Sequence, residues 1–385
     1  MNVLLYSWPF YPTIGGLERL TEVTAKCLLE EGHKVTVVTA TLDAEVSSPA
    51  FPFPVERRPS LRRLAHLVRW SDVIHLNTFH AKLVALAGLW RRPMVWQHID
   101  YDTISPRGVC FRSGRACTGD FRECYRCLRQ DHSLTAAAWA LVSLILKRTC
   151  ASAMAANAIS TDYAMERMRL PRTVHLPWGI DLSRFVPREK PPLPPLRVFF
   201  HGRHIPAKGC DVLVRAVRDC RDRGVPLVVR IAGDGPHRAV SEALAGDLGL
   251  EGEIAFLGFL PEERLLSELQ AAHVLVVPTT QDEIGQLAAV EAMSCGCAVV
   301  ASAIGALPEC LGDAGFLFPA GDARQLADRI EQLAADPALL ATLAERGRRL
   351  ANREYDCRVM GRRYADLYER ALRRRPAKAC AYQRR

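Results

Sequence analysis

Long apolar runs are scarce in this sequence. The longest uncharged apolar stretch, residues 133–146, is about 14 residues, short of the roughly 20 that a bilayer span takes. The opening residues have no basic cluster, and Pro9 and Pro12 interrupt them, so no secretory signal is expected there. A reducing, cytoplasmic setting is the expectation, reaching at most to the inner face of a membrane. The 13 cysteines are odd in number and unsuited to a closed disulfide set. Aromatic residues are 7% of the chain, and no stacking platform or recognised DNA-reading module interleaves them with basic residues. No internal repeat and no disorder-type composition is present.

What is abundant is apolar content, at 49% of 385 residues, which is enough for two cores of ordinary size. The formal charge of +9 suits an anionic ligand or surface, such as a nucleotide, nucleic acid or phospholipid.

Short apolar β-type runs alternate with helical patterns. Residues 3–6, 35–39, 73–76, 94–97 and 155–159 read as strands. Residues 17–31 read as a helix, with Leu17, Leu20, Val23, Cys27 and Leu28 on one face and Gly32 as its stop. A Pro-rich stretch, residues 191–195, follows as a stiff linker. The strand series then restarts at 198–201, 227–232, 254–257, 274–278, 298–302 and 316–318. Continuous rather than alternating apolar strands are buried on both faces, so they belong to parallel sheets covered by helices. The expected fold class is α/β: two Rossmann-like, doubly wound parallel-sheet domains facing across a cleft. Residues 1–190 form the first and 191–354 the second. Ligands of such sheets lie outside the C-terminal strand ends.

Three loops at those ends in the second half carry the chemistry. His201-Gly202-Arg203-His204-Ile205-Pro206-Ala207-Lys208-Gly209 places two cations five residues apart before a helix, as an anion site or a solvated basic loop. Gly233-Asp234-Gly235-Pro236 is a tight crossing of the sheet top, or an ordinary turn. Glu283 and Glu291 are separated by seven residues between a strand and a helix. They offer carboxylates to different parts of one extended ligand, and the helix start suits a phosphate.

The order Gly-Arg-x4-Lys-Gly, Gly-Asp-Gly-Pro, Phe256-Leu257-Gly258-Phe259-Leu260, Glu-x7-Glu-Ala-Met-Ser-Cys-Gly and Ala303-Ile304-Gly305-Ala306-Leu307-Pro308-Glu309 resembles the family 4 retaining glycosyltransferases of GT-B fold. The resemblance implies a sugar transferred from a nucleotide-diphosphate donor of UDP or GDP type. The acceptor it implies is a lipid-linked or polysaccharide-precursor glycan, and no catalytic metal is called for. Arg203 and Lys208 would bind the diphosphate, Glu283 the transferred sugar and Glu291 the ribose. Phe259 and Leu260 would lie against the base. Gly202, Gly233, Gly285, Gln286 and Leu287 complete the donor side, and Gly15 and Gly16 would approach the phosphates from across the cleft. Where the family has Gly-Phe-Gly after the first Glu, this chain has Ile284-Gly285-Gln286. His98, at a strand end, would contact substrate or handle a proton. Asp100 and Asp102 are nearby polar candidates, and His75 and His80 rank below them. Ser160 and Asp181 match family positions near the hinge. Residues 355–385 would be a helix crossing back to the first domain, followed by a basic tail.

Two further features stand apart. Cys110-x6-Cys117-x6-Cys124-x2-Cys127 lies in a polar insert, residues 108–130. Four thiolates ending in Cys-x-x-Cys fit structural zinc. An iron–sulfur cluster uses the same ligands, and four unligated thiols remain the third reading. Residues 57–69 hold five arginines and no acid around Leu61, Leu64, Leu67 and Val68, on helical spacing. This segment is either a membrane-surface helix or an ordinary amphipathic one. The stretch 134–146 could help membrane docking, but a buried helix is the expectation. Two other functions compete with transfer: a nucleotide-sugar epimerase of related fold, and a basic nucleic-acid-binding protein supported by charge alone.

Overall fold

The computed structural model describes residues 1–12, 15–42, 50–112, 115–116 and 120–373. The first half runs β1 (Asn2–Ser7), α1 (Gly16–Glu30), β2 (Lys34–Thr39), β3 (Val55–Arg57), α2 (Leu61–Trp70), β4 (Val73–Leu76), α3 (Ala81–Leu89) and β5 (Met94–His98). It continues with the two-residue strands β6 (Phe111–Arg112) and β7 (Arg115–Ala116), then α4 (Phe121–Arg129), α5 (Leu134–Ala153), β8 (Ala156–Ile159), α6 (Asp162–Met168) and β9 (Thr173–His175). The second half runs β10 (Leu196–His201), α7 (Cys210–Asp222), β11 (Leu227–Ala232), α8 (Arg238–Asp247), β12 (Ile254–Gly258), α9 (Glu262–Ala271), β13 (Val274–Val277) and α10 (Leu287–Ser294). It closes with β14 (Ala298–Ser302), α11 (Leu307–Leu311), β15 (Gly315–Phe318), α12 (Ala323–Ala335), α13 (Pro337–Glu354) and α14 (Cys357–Arg373).

Two parallel sheets result, in the orders β3-β2-β1-β4-β5-β8-β9 and β12-β11-β10-β13-β14-β15. Their central strands are buried on both faces, as uninterrupted apolar runs require. In each sheet the order reverses beside the first strand, between β1 and β4 and between β10 and β13. The loops leaving β1 and β10 therefore stand at the switch points where such sheets take ligands. The edge strands β3 and β9 have no counterpart in the sequence reading. Each is three residues long and partly exposed, so neither leaves an apolar run. Helix α14 packs Met360, Tyr364 and Tyr368 into the core beneath β1, so the last described helix rests on the first half.

Helix starts follow the capping rules. The side chains of Ser60, Ser133, Thr161 and Asp336 accept from first-turn amides of α2, α5, α6 and α13. The structure corrects one expectation and decides between two others. Helix α5 is not buried: Trp139, Val142, Ile145 and Leu146 are all exposed. Helix α2 turns Leu64, Leu67 and Val68 into the core and its arginines outward, the arrangement of an ordinary amphipathic helix.

Candidate active site

The loops leaving β10, β11 and β13 press together where only glycine backbone fits. Gly233 has φ 118°, and a Cβ there would lie 1.9 Å from the carbonyl oxygen of Gly202. Gly209 has φ 70°, and its Cβ would lie 1.9 Å from that of Pro278. This packing carries Lys208, at the end of a single tight turn, to the segment after β13. Its Nζ stands 2.6 Å from Glu283 Oε1. Thr279 Oγ1 donates to the same oxygen at 3.2 Å and Gln281 Nε2 at 3.3 Å. Arg203 is exposed, and among the described residues it makes no ion pair.

Glu291 lies in the second turn of α10. It is 5% exposed, and Arg19 of α1 reaches it from the other half at 3.3 Å. Burial pushes its carboxyl up to about 7, against the pull of Arg19. His201 Nε2 lies 3.6 Å from the other carboxylate oxygen, outside hydrogen-bond range. Burial, and then the charges of Arg19 and Lys208, lower His201 to about 3, so it is neutral beside them. A cavity of about 350 Å³ opens here, with Arg19, Glu22, Lys26, Arg184, Glu262 and Glu291 in its walls. Phe259 is exposed on the loop after β12, and Leu260 is half-buried beside it.

Two helix N-termini meet across the cleft. Gly15 precedes α1 and Gln286 precedes α10, and neither supplies a side-chain cap to its first turn. A Cβ on Gly16 would lie 3.7 Å from Leu287 Cδ1, so the two starts are neighbours. Among the described residues neither N-cap side chain accepts from the first-turn amides; the Glu18 carboxylate stands beside Gly15 at the start of α1, and the start of α10 has no acid in its first turn.

Around Glu283 the chain divides its residues between the two halves. Asp282 is buried in the first half, where it accepts from Tyr101 Oη at 2.8 Å and Tyr163 Oη at 3.1 Å and pairs with Arg167 Nε at 2.9 Å. Ile284 joins the first half's core, and its carbonyl accepts from Ser160 Oγ and Thr161 Oγ1. Glu309 accepts from the amides of Asp162 and Tyr163 at 2.8 Å each and so caps α6 from the opposite half. Only Glu283 turns to Lys208. Gly285 serves this clamp too: a Cβ there would lie 3.0 Å from the Trp178 ring. Sequence reasoning missed Asp282, Tyr101, Tyr163 and Arg167. The one available signal was an acid directly before Glu283.

Around the end of β5, burial dominates. His98 ends β5 at 1% exposure, its Nε2 is 3.0 Å from Asn157 Oδ1, and its Nδ1 has no partner among the described residues. Burial lowers its pKa, so the ring is neutral. Asp100 and Asp102 have the spacing of an Asp-x-Asp metal pattern, which the expectation of no catalytic metal passes over. Asp102 pairs with Lys147 at 3.1 Å, and Asp100 accepts from the Asp102 amide at 2.9 Å. Burial, then the Asp102 charge, raise Asp100 to about 7. His75 is interior, bonded to Tyr368 and Asn77, and His80 caps α3. Asp181 holds the turn at Ser183. Cys110 and Cys124 are buried and Cys127 is half-buried, while Cys117 lies outside the described residues.

Comparison with known proteins follows this geometry. The family described as glycosyl transferases group 1 matches residues 184–350. A GDP-mannose-dependent alpha-(1-6)-phosphatidylinositol monomannoside mannosyltransferase of Mycolicibacterium smegmatis is 31% identical over 211 residues, 50% of this chain and 55% of that protein. The chain spans about half the length of the curated relatives it matches. Sucrose-phosphate synthase from Thermosynechococcus elongatus superposes with a TM-score of 0.72 at 20% identity, over 97% of this chain and 99% of that one. Anabaena HepE, solved in complex with UDP, does so at 0.71 and 21%, over 96% and 100%. The shared fold is GT-B: two parallel-sheet α/β domains.

Proposed function

We propose, for a chain whose C-terminal half is a glycosyl transferases group 1 domain, that it transfers a sugar from a nucleotide-diphosphate sugar to a lipid-linked or polysaccharide-precursor glycan, with retention at the anomeric carbon. The observation that carries this reading is the Lys208–Glu283 pair at a switch-point strand end, opposite two uncapped helix starts. A diphosphate entering there meets Arg203, which makes no ion pair among the described residues, and Lys208, which can exchange Glu283 for phosphate oxygen. The helix amides complete the neutralisation. Charge that develops on the leaving diphosphate is stabilised by these preplaced cations and dipoles. Lys208 moving to phosphate frees the Glu283 carboxylate for a sugar hydroxyl. Glu291 and the neighbouring cavity suit the ribose and nucleoside, and exposed Phe259 offers a face to the base. His98, neutral, offers its unpartnered Nδ1 as a hydrogen-bonding atom rather than as a charge. With two cations and two dipole ends supplied by the chain, this reading calls for no catalytic metal.

The cysteine insert is read as structural zinc. Cys124 and Cys127 lie one turn apart on α4, and the thiols of Cys110 and Cys124 are buried in an otherwise polar segment. Metal analysis of the purified chain should find one zinc per molecule, lost in Cys124→Ser; a metal-free, folded wild type would refute it.

The transferase reading is tested by thermal shift with UDP, GDP and ADP, alone and as sugar conjugates, on wild type and on the Arg203→Ala/Lys208→Ala double variant. Ligand at about 100 times its Kd adds about 2.7 kcal/mol. One nucleotide stabilising only the wild type supports the site. No response from a folded wild type sinks it. Net epimerised donor formed without acceptor would favour an epimerase, and the anomeric configuration of the product decides retention.

A further inference from the structure

Helix α5 wears its large apolar residues on the wrong side. The residues it turns into the protein are mostly small, Ala137 and Ala151 with Leu144. Its outward face carries Trp139, at 74% exposure, with Val142, Ile145 and Leu146. At 100° per residue these four fall within one contiguous arc opposite the buried three. Leu134, at the start of the helix, and Phe121 and Tyr125, on the preceding α4, are exposed as well. Among the described residues α5 is the one helix long and apolar enough to cross a membrane. Its inner face is seated on the protein and Lys147 and Arg148 follow Leu146, so the helix is placed to lie on a bilayer rather than to span it.

Charge indicates which apolar partner covers this face. Between residues 121 and 153 there are five Arg and Lys and two acids, and α5 itself has no acid. Of the two acids, Asp131 is already paired with Arg107. A second copy of the chain docking through a two-fold interface would bring the same cationic rim against itself. An anionic lipid surface would attract the rim and accept the aromatics at its interface. We propose that the outward face of α5, with Phe121 and Tyr125 of α4, is the surface by which this protein lies on an anionic membrane. The Lys147–Asp102 pair joins the same helix to the loop after His98, so a docked bilayer would sit beside the strand end assigned to the acceptor. The surface stands independently of the transferase reading and names the direction from which a lipid-linked acceptor would arrive.

The test is vesicle flotation of the full chain with phosphatidylcholine alone and with phosphatidylcholine containing phosphatidylglycerol. The comparison variants are Trp139→Ser/Ile145→Ser and Arg122→Glu/Arg126→Glu, all at exposed positions. Wild type should float with the anionic vesicles, less so at high salt, and each double variant should bind about tenfold more weakly, as loss of buried apolar area or of two cations requires. Absence of flotation, or binding indifferent to both variants, would overturn the proposal. A dimer in light scattering that the serine variant dissolves, with no vesicle binding, would overturn it in favour of self-association. Nucleotide thermal shifts measured on the same proteins without vesicles keep the two readings apart, since their loss would count against the transferase and not against the membrane surface.

Discussion

The two halves of the cleft are built on opposite electrostatic plans. On the donor side, Lys208 and Arg203 sit on glycine-bearing loops at strand ends, partly or fully exposed, with Lys208 held by one carboxylate that a ligand can replace. On the proposed acceptor side, His98 is buried and neutral, Asp100 is raised to about 7, and the Asp102 charge is already paired with Lys147, so no cation among them is left for a ligand there. The difference matches two kinds of ligand. A diphosphate needs fixed positive charge and helix dipoles. A sugar hydroxyl needs neutral hydrogen-bonding atoms, beside which a full charge would cost desolvation.

The largest effect should come from breaking the donor plan. Lys208→Ala removes the cation aimed at the leaving group, and turnover should fall by ~10²–10³, roughly 3–4 kcal/mol of transition-state stabilisation. Steady-state kinetics with saturating donor measures this. Near-wild-type turnover would mean that Arg203 and the amides suffice. The clamp between the halves comes next. Asp282→Ala strands Tyr101, Tyr163 and Arg167 around an empty socket and should destabilise the fold by about 3 kcal/mol. Asp282→Asn keeps an acceptor in the socket and should recover much of that stability. If both variants lose turnover while melting normally, the clamp acts by positioning Glu283 rather than by holding the halves together.

The same contrast explains what could be read from sequence. Arg203, Lys208, Glu283 and Glu291 lie in short, ordered motifs after strands, so spacing marked them as candidates and the resemblance supplied their roles, while the central parallel strands were legible by their apolar runs. The Asp282 socket was not legible, because Tyr101, Tyr163 and Arg167 come from two separate segments and meet only through the packing of one half on the other. Edge strands β3 and β9 were too short and too exposed to mark themselves. Helix α5 was misread as buried because composition reports how apolar a segment is and not which side faces water. Gly285 was expected on the donor side as the one glycine left of the family's Gly-Phe-Gly, and a Cβ there would meet the Trp178 ring.

A smaller effect follows from Glu291, the donor-side carboxylate that behaves like the acceptor side. Its folded-state pKa of about 7 lies above the value of about 4.5 for the open chain, so the folded form holds its proton more tightly. The stability this gives is fully present below about pH 4.5 and is lost as pH rises through about 7. The melting temperature of wild type should therefore decline relative to Glu291→Gln between pH 5 and 8. Parallel curves would show that Arg19 keeps Glu291 ionised throughout.

The smallest effect should be at the rim. Phe259 is more than half exposed, so it adds little to the fold, and its ring is open to a base. Phe259→Ala should weaken nucleotide binding by about 1 kcal/mol, a several-fold rise in Kd, with turnover at saturation unchanged. Phe259→Leu should recover part of the loss through apolar contact but not the stacking. That pattern would place the base on the donor half alone. A fall in turnover with Kd unchanged would instead mean that Phe259 touches the acceptor, and the separation of charged donor half from neutral acceptor half would no longer hold at the cleft's edge.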